Sequence, residues 1–216
     1  MEIGCKYARA GVLSIAALTG FLGPQFLNDR PRLLAAKSIK ETFKPVVAIS
    51  APEKPAHPTG YNFALAANGG SATGGSDPAQ LIDGNETNYT GGTGFALAQW
   101  KAEPPQPFVI TLKEAVALDC IRFLLWDRSE DRYYRYKLEV RADESSEKWV
   151  MLSDRSGPVE QCRSWQAARF KVQTVKQIRL SGTFNSANSG FHVVELQAYF
   201  GCPSNTPSAS SETLDF

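Results

Sequence analysis

The stretch Tyr136-Lys137-Leu138-Glu139-Val140 alternates apolar and polar residues. Successive side chains of a β-strand point to opposite faces, so this period of two predicts a strand with one buried and one solvated face. Six further segments carry strand patterns, and Gly, Asn, Asp and Pro clusters separate them: Phe108–Leu112, Cys120–Trp126, Trp149–Ser153, Trp165–Val172, Gln177–Gly182 and Phe191–Phe200. Their spacing of roughly ten to fifteen residues, without a helical period between them, indicates an all-β sandwich or barrel.

The composition is that of a globular protein with one domain of ordinary size. The chain has 216 residues, is 43% hydrophobic and carries a formal net charge of +1. Lys and Arg do not gather into a basic run, so we expect no nucleic-acid partner.

The N-terminal segment, residues 1–24, is interpreted as a signal peptide, an anchor or another targeting segment. Residues 10–24 are uncharged and follow Lys6 and Arg9. This stretch is short for a membrane-spanning helix, which needs about 20 residues, and has the length of a signal-peptide core. We expect a secreted or membrane-anchored protein, with residues 10–24 as a tether; import into an organelle, or a plain amphipathic helix, are the alternatives.

The segments on either side of the β-rich body have the composition of connecting chain. Prolines 45, 52, 55 and 58 punctuate residues 25–60, which predicts an extended Pro-rich linker. Residues 203–216 are rich in Ser, Thr and Pro and are predicted to be a disordered tail. The folded domain is therefore expected over residues 61–202.

The four cysteines, Cys5, Cys120, Cys162 and Cys202, do not have the spacing of a zinc site. Cys120 lies in an apolar strand pattern, which favours a small core residue. Cys162 and Cys202 are candidates for a disulfide, although their spacing alone does not decide it.

Five short motifs follow one another along the body: Asn62-Phe63-Ala64, Leu81-Ile82-Asp83-Gly84-Asn85, Ile121-Arg122-Phe123, Arg135-Tyr136-Lys137-Leu138-Glu139-Val140 and Gly190-Phe191-His192-Val193-Val194-Glu195-Leu196. In this order they resemble the discoidin (coagulation factor V/VIII C-type) domain and the related galactose-binding-like carbohydrate modules. The resemblance implies an eight-stranded jelly-roll β-sandwich with loops projecting from one end. Secreted members often join the two domain ends by a disulfide, but no cysteine stands near Asn62, so closure is expected from strand pairing.

The second half of the body resembles a particular branch of that family. The segments concerned are Leu124-Leu125-Trp126-Asp127, Asp131-Arg132-Tyr133, Cys162-Arg163-Ser164-Trp165-Gln166 and Gly182-Thr183-Phe184-Asn185-Ser186-Ala187-Asn188. They are similar to the discoidin-like domains of intracellular BTB-domain adaptors, a branch associated with protein interaction more than with sugar. The N-terminal half matches that branch less well, and the sequence contains no BTB domain.

Two loops supply the candidate ligand-binding residues. Residues 126–134 include Arg128, Arg132 and Tyr133, in which a forked donor or an aromatic face is available to a ligand. Residues 184–190 include Phe184, Asn185 and Asn188. The alternatives are structural: the first loop braces a hairpin, and the asparagines bond their own backbone as Asx turns.

The resemblance also implies a candidate metal site. In calcium-binding carbohydrate modules of this family, an acidic turn and a carboxylate of the last strand share one ion. The corresponding residues are Asp83, Asn85 and Glu195, and such hard oxygen ligands suit Ca²⁺. The alternative is that Asp83 and Gly84 only make a turn and that Glu195 joins a buried polar network.

Catalysis is not expected, because His57 and His192 are the only histidines and no nucleophile elbow is present. The leading hypothesis is a non-catalytic module that binds a carbohydrate or glycan through the loops at one end of the sandwich. The alternative is a protein-interaction or assembly subunit of a larger membrane-associated complex.

Overall fold

A computed structural model describes residue 54, residues 56–128 and residues 131–204 of the chain. Within these residues two short 3-10 turns, Ala66–Asn68 and Pro78–Ile82, precede or interrupt the strands. The strands are β1 (Ser71–Thr73), β2 (Ala96–Gln99), β3 (Phe108–Leu125), β4 (Tyr134–Arg141), β5 (Val150–Arg155), β6 (Trp165–Asn185) and β7 (Gly190–Tyr199).

All strand pairs are antiparallel, in the order β2-β7-β3-β6-β4-β5, with β1 added to β3. The two segments predicted as separate strands before and after residue 115 are one strand, β3, and the two predicted over Trp165–Gly182 are one strand, β6. Register shifts interrupt the pairing of β3 with β6 between Thr111 and Val116 and between Leu118 and Cys120. Such irregularities bend strands, so both long strands serve both layers of a β-sandwich. The all-β expectation is confirmed.

The core follows the predicted alternation. Along β4, Tyr136, Leu138 and Val140 are buried, whereas Lys137 and Glu139 are half-exposed. Strand β7 differs, because all ten of its residues are buried. It lies between β2 and β3 in the sheet, and the rest of the domain covers both of its faces.

A polar network fastens the segment after Ile82 to the outer face of β3 and β7. Arg122 donates from Nε to Gln197 Oε1 at 2.5 Å and lies over the Trp165 ring at 4.4 Å. Gln197 Nε2 donates to Glu86 Oε1 at 2.6 Å, and Tyr199 donates to Gln197 Oε1 at 2.8 Å. The loop that contains Glu86 is therefore anchored to the sheet by hydrogen bonds.

The two ends of the domain are closed by hydrogen bonds between the first segment and β7, as expected from the lack of a cysteine near Asn62. Phe63 N donates to Ala198 O at 2.9 Å, and Asn62 Oδ1 accepts from the amides of Ala64 and Ala198, both at 3.0 Å.

A disulfide between Cys120 and Cys202 adds a covalent link at this end, with the two Cα atoms 5.4 Å apart. Cys162 is free and buried. The expectations that Cys120 is an unlinked core residue and that Cys162 can pair with Cys202 are therefore wrong. The reason is the sheet register: Cys120 lies opposite Tyr199, so Cys202, three residues further on, is brought back to it.

The predicted targeting segment with its tether at residues 10–24, most of the predicted linker, and residues 205–216 of the predicted tail lie outside the described residues. In the described part of the predicted linker, His57 stacks on Tyr61 with ring centroids 4.1 Å apart. No helix within the described ranges is both long and apolar enough to span a membrane.

Candidate ligand-binding site at the loop face

The two loops singled out by the sequence meet at one end of the sandwich. Tyr133 N donates to Ser186 Oγ at 3.1 Å, and Ser186 N donates to Tyr133 O at 3.0 Å. The segment after β2 joins them, because Trp100 N donates to Ser189 O at 3.1 Å. We call this end the loop face; it comprises Tyr89, Arg135, Arg163 and the described residues of segments 99–101, 126–134 and 184–190.

One half of the loop face is a row of three aromatic rings with a cation on each. Phe184 lies 5.7 Å from Trp100 and 5.6 Å from Tyr133 between ring centroids. The cations of this aromatic–cationic row lie over the rings at 4.9 Å for Lys101 on Trp100, 4.4 Å for Arg135 on Phe184 and 5.9 Å for Arg163 on Tyr133. Lys101 is exposed, and the other five residues are partly buried. Such pairs are attracted electrostatically by the ring quadrupole.

The other half is built around Trp126. Its indole Nε1 donates to Tyr89 O at 2.8 Å, and Arg132 lies over its ring at 4.6 Å. Arg132 Nη1 is 3.4 Å from His192 Nδ1. Because a guanidinium has no acceptor, Arg132 is the donor in this contact. His192 is buried, in keeping with a structural role. Arg128 is exposed and lies 5.5 Å from the centre of the Tyr89 ring.

The predicted ligand-binding asparagines are used within their own loop. Asn185 is buried, and its Nδ2 donates to Asn188 Oδ1 at 2.8 Å and to Gly190 O at 2.5 Å. Its Oδ1 accepts from Ala187 N at 2.9 Å, and Asn188 Oδ1 accepts from Gly190 N at 2.8 Å. These are the Asx-type bonds named as the structural alternative. A ligand contact by Asn188, which is exposed, stays a prediction.

The predicted metal residues come together around Gly84. Gly84 N donates to Glu195 Oε2 at 3.1 Å, whereas Glu195 Oε1 is buried without a hydrogen-bond partner. Burial, reinforced by the nearby charge of Asp83, raises the pKa of Glu195 to about 8. Without a metal the carboxyl is therefore mostly protonated at neutral pH.

The other two predicted ligands turn toward their own loop. Asp83 Oδ1 accepts from Asn85 N at 2.8 Å, and Asn85 Oδ1 accepts from the amides of Thr87 and Asn88, both at 3.1 Å. In the part of the chain that the structure describes, no cluster of three or more His, Cys, Asp or Glu side chains could hold a metal. Of the donor set, Glu195 Oε1 is thus the feature that fits an ion, whereas Asp83 Oδ1 and Asn85 Oδ1 are already engaged in the loop.

Four residues of the loop face were missed by the sequence reasoning: Trp100, Lys101, Arg135 and Arg163. The first two sit beyond the short strand β2, which no clear alternation marks. Arg135 and Arg163 lie in quoted motifs, but their partners Phe184 and Tyr133 are 49 and 30 residues away along the chain. Adjacent aromatic and basic residues, as in Trp100-Lys101, were the available signal.

Sequence comparison finds similarity to BTB/POZ domain-containing protein 9 of several animals. It is 33% identical over 135 residues to BTB/POZ domain-containing protein 9 of Homo sapiens, a match that covers 62% of this chain and 20% of that protein. The Drosophila melanogaster protein of the same name is 37% identical over 118 residues, with 55% and 16% covered. The chain thus spans about a fifth of the length of these relatives. No family model matches the sequence.

Structure comparison identifies the fold. CpGH89CBM32-6 of Clostridium perfringens superimposes with a TM-score of 0.50 at 16% identity, over 65% of this chain and 100% of that one. The fold is a galactose-binding-like β-sandwich. A chitosan-binding module from a Paenibacillus chitosanase/glucanase gives 0.50 at 19% identity, over 64% of this chain and 98% of the module. A Ruminococcus gnavus GH29 fucosidase gives 0.51 at 19% identity, over 66% and 27%. At such identities the likeness concerns the fold alone.

Proposed function

We propose that this domain is a non-catalytic recognition module whose loop face binds a partner protein. The observation that carries the proposal is the composition of that face. Aromatic and arginine side chains are the residue types that dominate the energetics of protein interfaces, and here they form a continuous surface from Trp100 to Tyr133.

The sequence relatives support a protein partner over a sugar. The similarity to BTB/POZ domain-containing protein 9 reaches 33–37% identity, whereas the carbohydrate-binding neighbours fall below 20%. This similarity agrees with the resemblance of the second half of the body to discoidin-like domains of BTB-domain adaptors, the branch associated with protein interaction.

The ring geometry points the same way. Neutral sugars are held by packing their CH faces on open aromatic faces. On this face Trp126, Phe184 and Tyr133 each carry an arginine within 5.9 Å of the ring centroid. A ligand therefore meets guanidinium groups lying on rings, which favour planar acceptors such as carboxylates and peptide carbonyls.

The test is isolation of the tagged full chain from its native cells under mild conditions. We expect a protein to co-purify in stoichiometric amount with the wild type and to be lost with the double variant Tyr133→Ala, Arg128→Ala. The matched control is Val172→Ala, which trims an exposed apolar residue of β6 outside the loop face. Thermal melting of each variant checks that folding is intact. A wild-type chain recovered as a free monomer overturns the proposal.

Glycan recognition is the second candidate, favoured by the half-exposed rings of Tyr133 and Phe184 beside exposed Asn188 and by the likeness to a chitosan-binding module. A glycan array probed with and without Ca²⁺ separates the candidates. Binding to a defined saccharide that is lost with Tyr133→Ala supports this second function, and an array without signal removes it.

We also propose a structural Ca²⁺ beside Glu195, held with Asp83, Asn85 and carbonyls of the loop. Its support is the buried, unpartnered Glu195 Oε1 and the preference of Ca²⁺ for such oxygens. The expected result is a higher melting temperature in Ca²⁺ than in EDTA for the wild type, and no difference for Glu195→Gln. A wild type that melts identically in both solutions overturns it.

A further inference from the structure

The structure assigns a chemical character to the partner: we infer that the aromatic–cationic row receives an acidic segment of the partner protein. This inference rests on the proposed function, because it specifies what the loop face recognises. It depends on the six residues of the row alone.

The first step is the balance of charge along the row. Among the residues that the structure describes, Arg135 forms no ion pair, and its guanidinium donates to the backbone carbonyls of Glu160 and Pro158. Lys101 is exposed and, among the described residues, forms no ion pair. Arg163 pairs with Asp131 at 3.2 Å, but Asp131 is fully exposed, and pairs of this kind contribute little. The row therefore presents three cations against one weakly held carboxylate.

The second step is the arrangement of those cations. The ring centroids of Trp100 and Tyr133 each lie within 6 Å of the Phe184 centroid, and each ring carries its own cation, so the three cations are distributed over three neighbouring rings. Two Arg135 donors are already used by the backbone carbonyls of Glu160 and Pro158, so what Arg135 offers an acidic ligand is chiefly its charge. Cations carried on consecutive rings suit a chain with several carboxylates better than a single small anion.

The third step excludes a single-stranded nucleic acid as the preferred occupant. Bases bind by stacking on open, accessible ring faces. Here Phe184 is covered by Arg135 at 4.4 Å and flanked by two tilted rings, and Lys101 lies over Trp100 at 4.9 Å. Each ring thus has a cation over one face, which favours recognition of negative charge over base stacking.

The experiment measures fluorescence anisotropy of the full chain with a labelled hexaglutamate peptide. A hexaglutamine peptide and a thymidine oligonucleotide serve as comparison probes. We expect hexaglutamate alone to bind at low salt, with affinity that falls as salt is added. The double variant Lys101→Gln, Arg163→Gln is expected to lower the affinity about tenfold, as the loss of two exposed charge contacts implies.

The matched control is Lys148→Gln, Lys171→Gln, which removes the same charge from exposed lysines outside the row. Equal loss with both double variants would reduce the effect to net charge and overturn the inference, and so would tighter binding of the oligonucleotide. The proposed function is judged separately: if a partner protein is lost with Tyr133→Ala, Arg128→Ala but retained with Lys101→Gln, Arg163→Gln, the module binds a protein and the acidic determinant is wrong.

Discussion

Breaking the Cys120–Cys202 disulfide should remove a large part of the stability of this domain. The bond closes a loop with a sequence separation of 82 residues, and the chain-entropy relation gives about 4.5 kcal/mol for a loop of this size. For a domain with a urea dependence of about 2 kcal/mol per molar, that loss moves the unfolding midpoint by about 2 M. The preferred variant is Cys202→Ser, because Cys202 is half-exposed, whereas serine at the fully buried Cys120 would also bury a hydroxyl.

The assay is urea unfolding of the wild type and of Cys202→Ser, each with and without dithiothreitol. Reductant should lower the wild-type midpoint to that of the variant and leave the variant unchanged. Cys162→Ala is the control, because its cysteine is free and its midpoint should keep the full response to reductant. A wild-type midpoint that reductant does not move would refute the reasoning. Disulfides persist in oxidising compartments. Counting free thiols on protein isolated from native cells therefore also tests the predicted secretion or import.

Three further predictions concern single residues. In EDTA, the free energy of unfolding should fall as pH rises from about 4.5 to about 8, because the folded protein keeps a proton on Glu195 that the unfolded chain releases. The loss is on the order of 3 kcal/mol by pH 7. The urea midpoint of Glu195→Gln should not show this dependence on pH. Gly182→Ala should lower the free energy of unfolding by roughly 1–3 kcal/mol, because the new Cβ would lie 2.2 Å from Phe191 Cγ. The control Gly157→Ala, whose Cβ meets nothing closer than 3.9 Å, should melt like the wild type. Equal melting temperatures of the two variants would contradict the packing argument. Burial raises the pKa of Cys162 to about 11, so iodoacetamide at pH 8 should modify it only after unfolding, and modification of the native protein, detected by mass spectrometry, would show that the site opens.

The strands could be predicted because their signal is local. The alternation in Tyr136–Val140 reports directly which side chains face the core, and period-two burial is a property of a single strand. The length of β3 and β6 could not be read in the same way. Some of their middle residues, such as Lys113 and Glu114, are exposed and charged, so the sequence shows a break where the structure has continuous strands with irregular register.

The loop face could be predicted only in part, because its contacts join distant segments. The resemblance placed loops 126–134 and 184–190 at one end, and Tyr133 and Phe184 do meet there. The partners that change the chemistry of these rings, Arg163 and Arg135, come from other strands or connections. The disulfide was missed for the same reason, since the distance between Cys120 and Cys202 depends on the β3–β7 register.

The closure of the domain at Asn62 and Ala198 determines at which end of the sandwich the chain enters and leaves. Strand β7 begins at the loop face and runs ten residues to Tyr199, a distance of about 30 Å, and Phe63 enters the sheet beside its far end. Chain leading into the domain and chain leading out of it therefore share one pole, and the loop face occupies the opposite pole. Attachment through either flank would therefore act at the pole opposite the surface proposed to bind a partner.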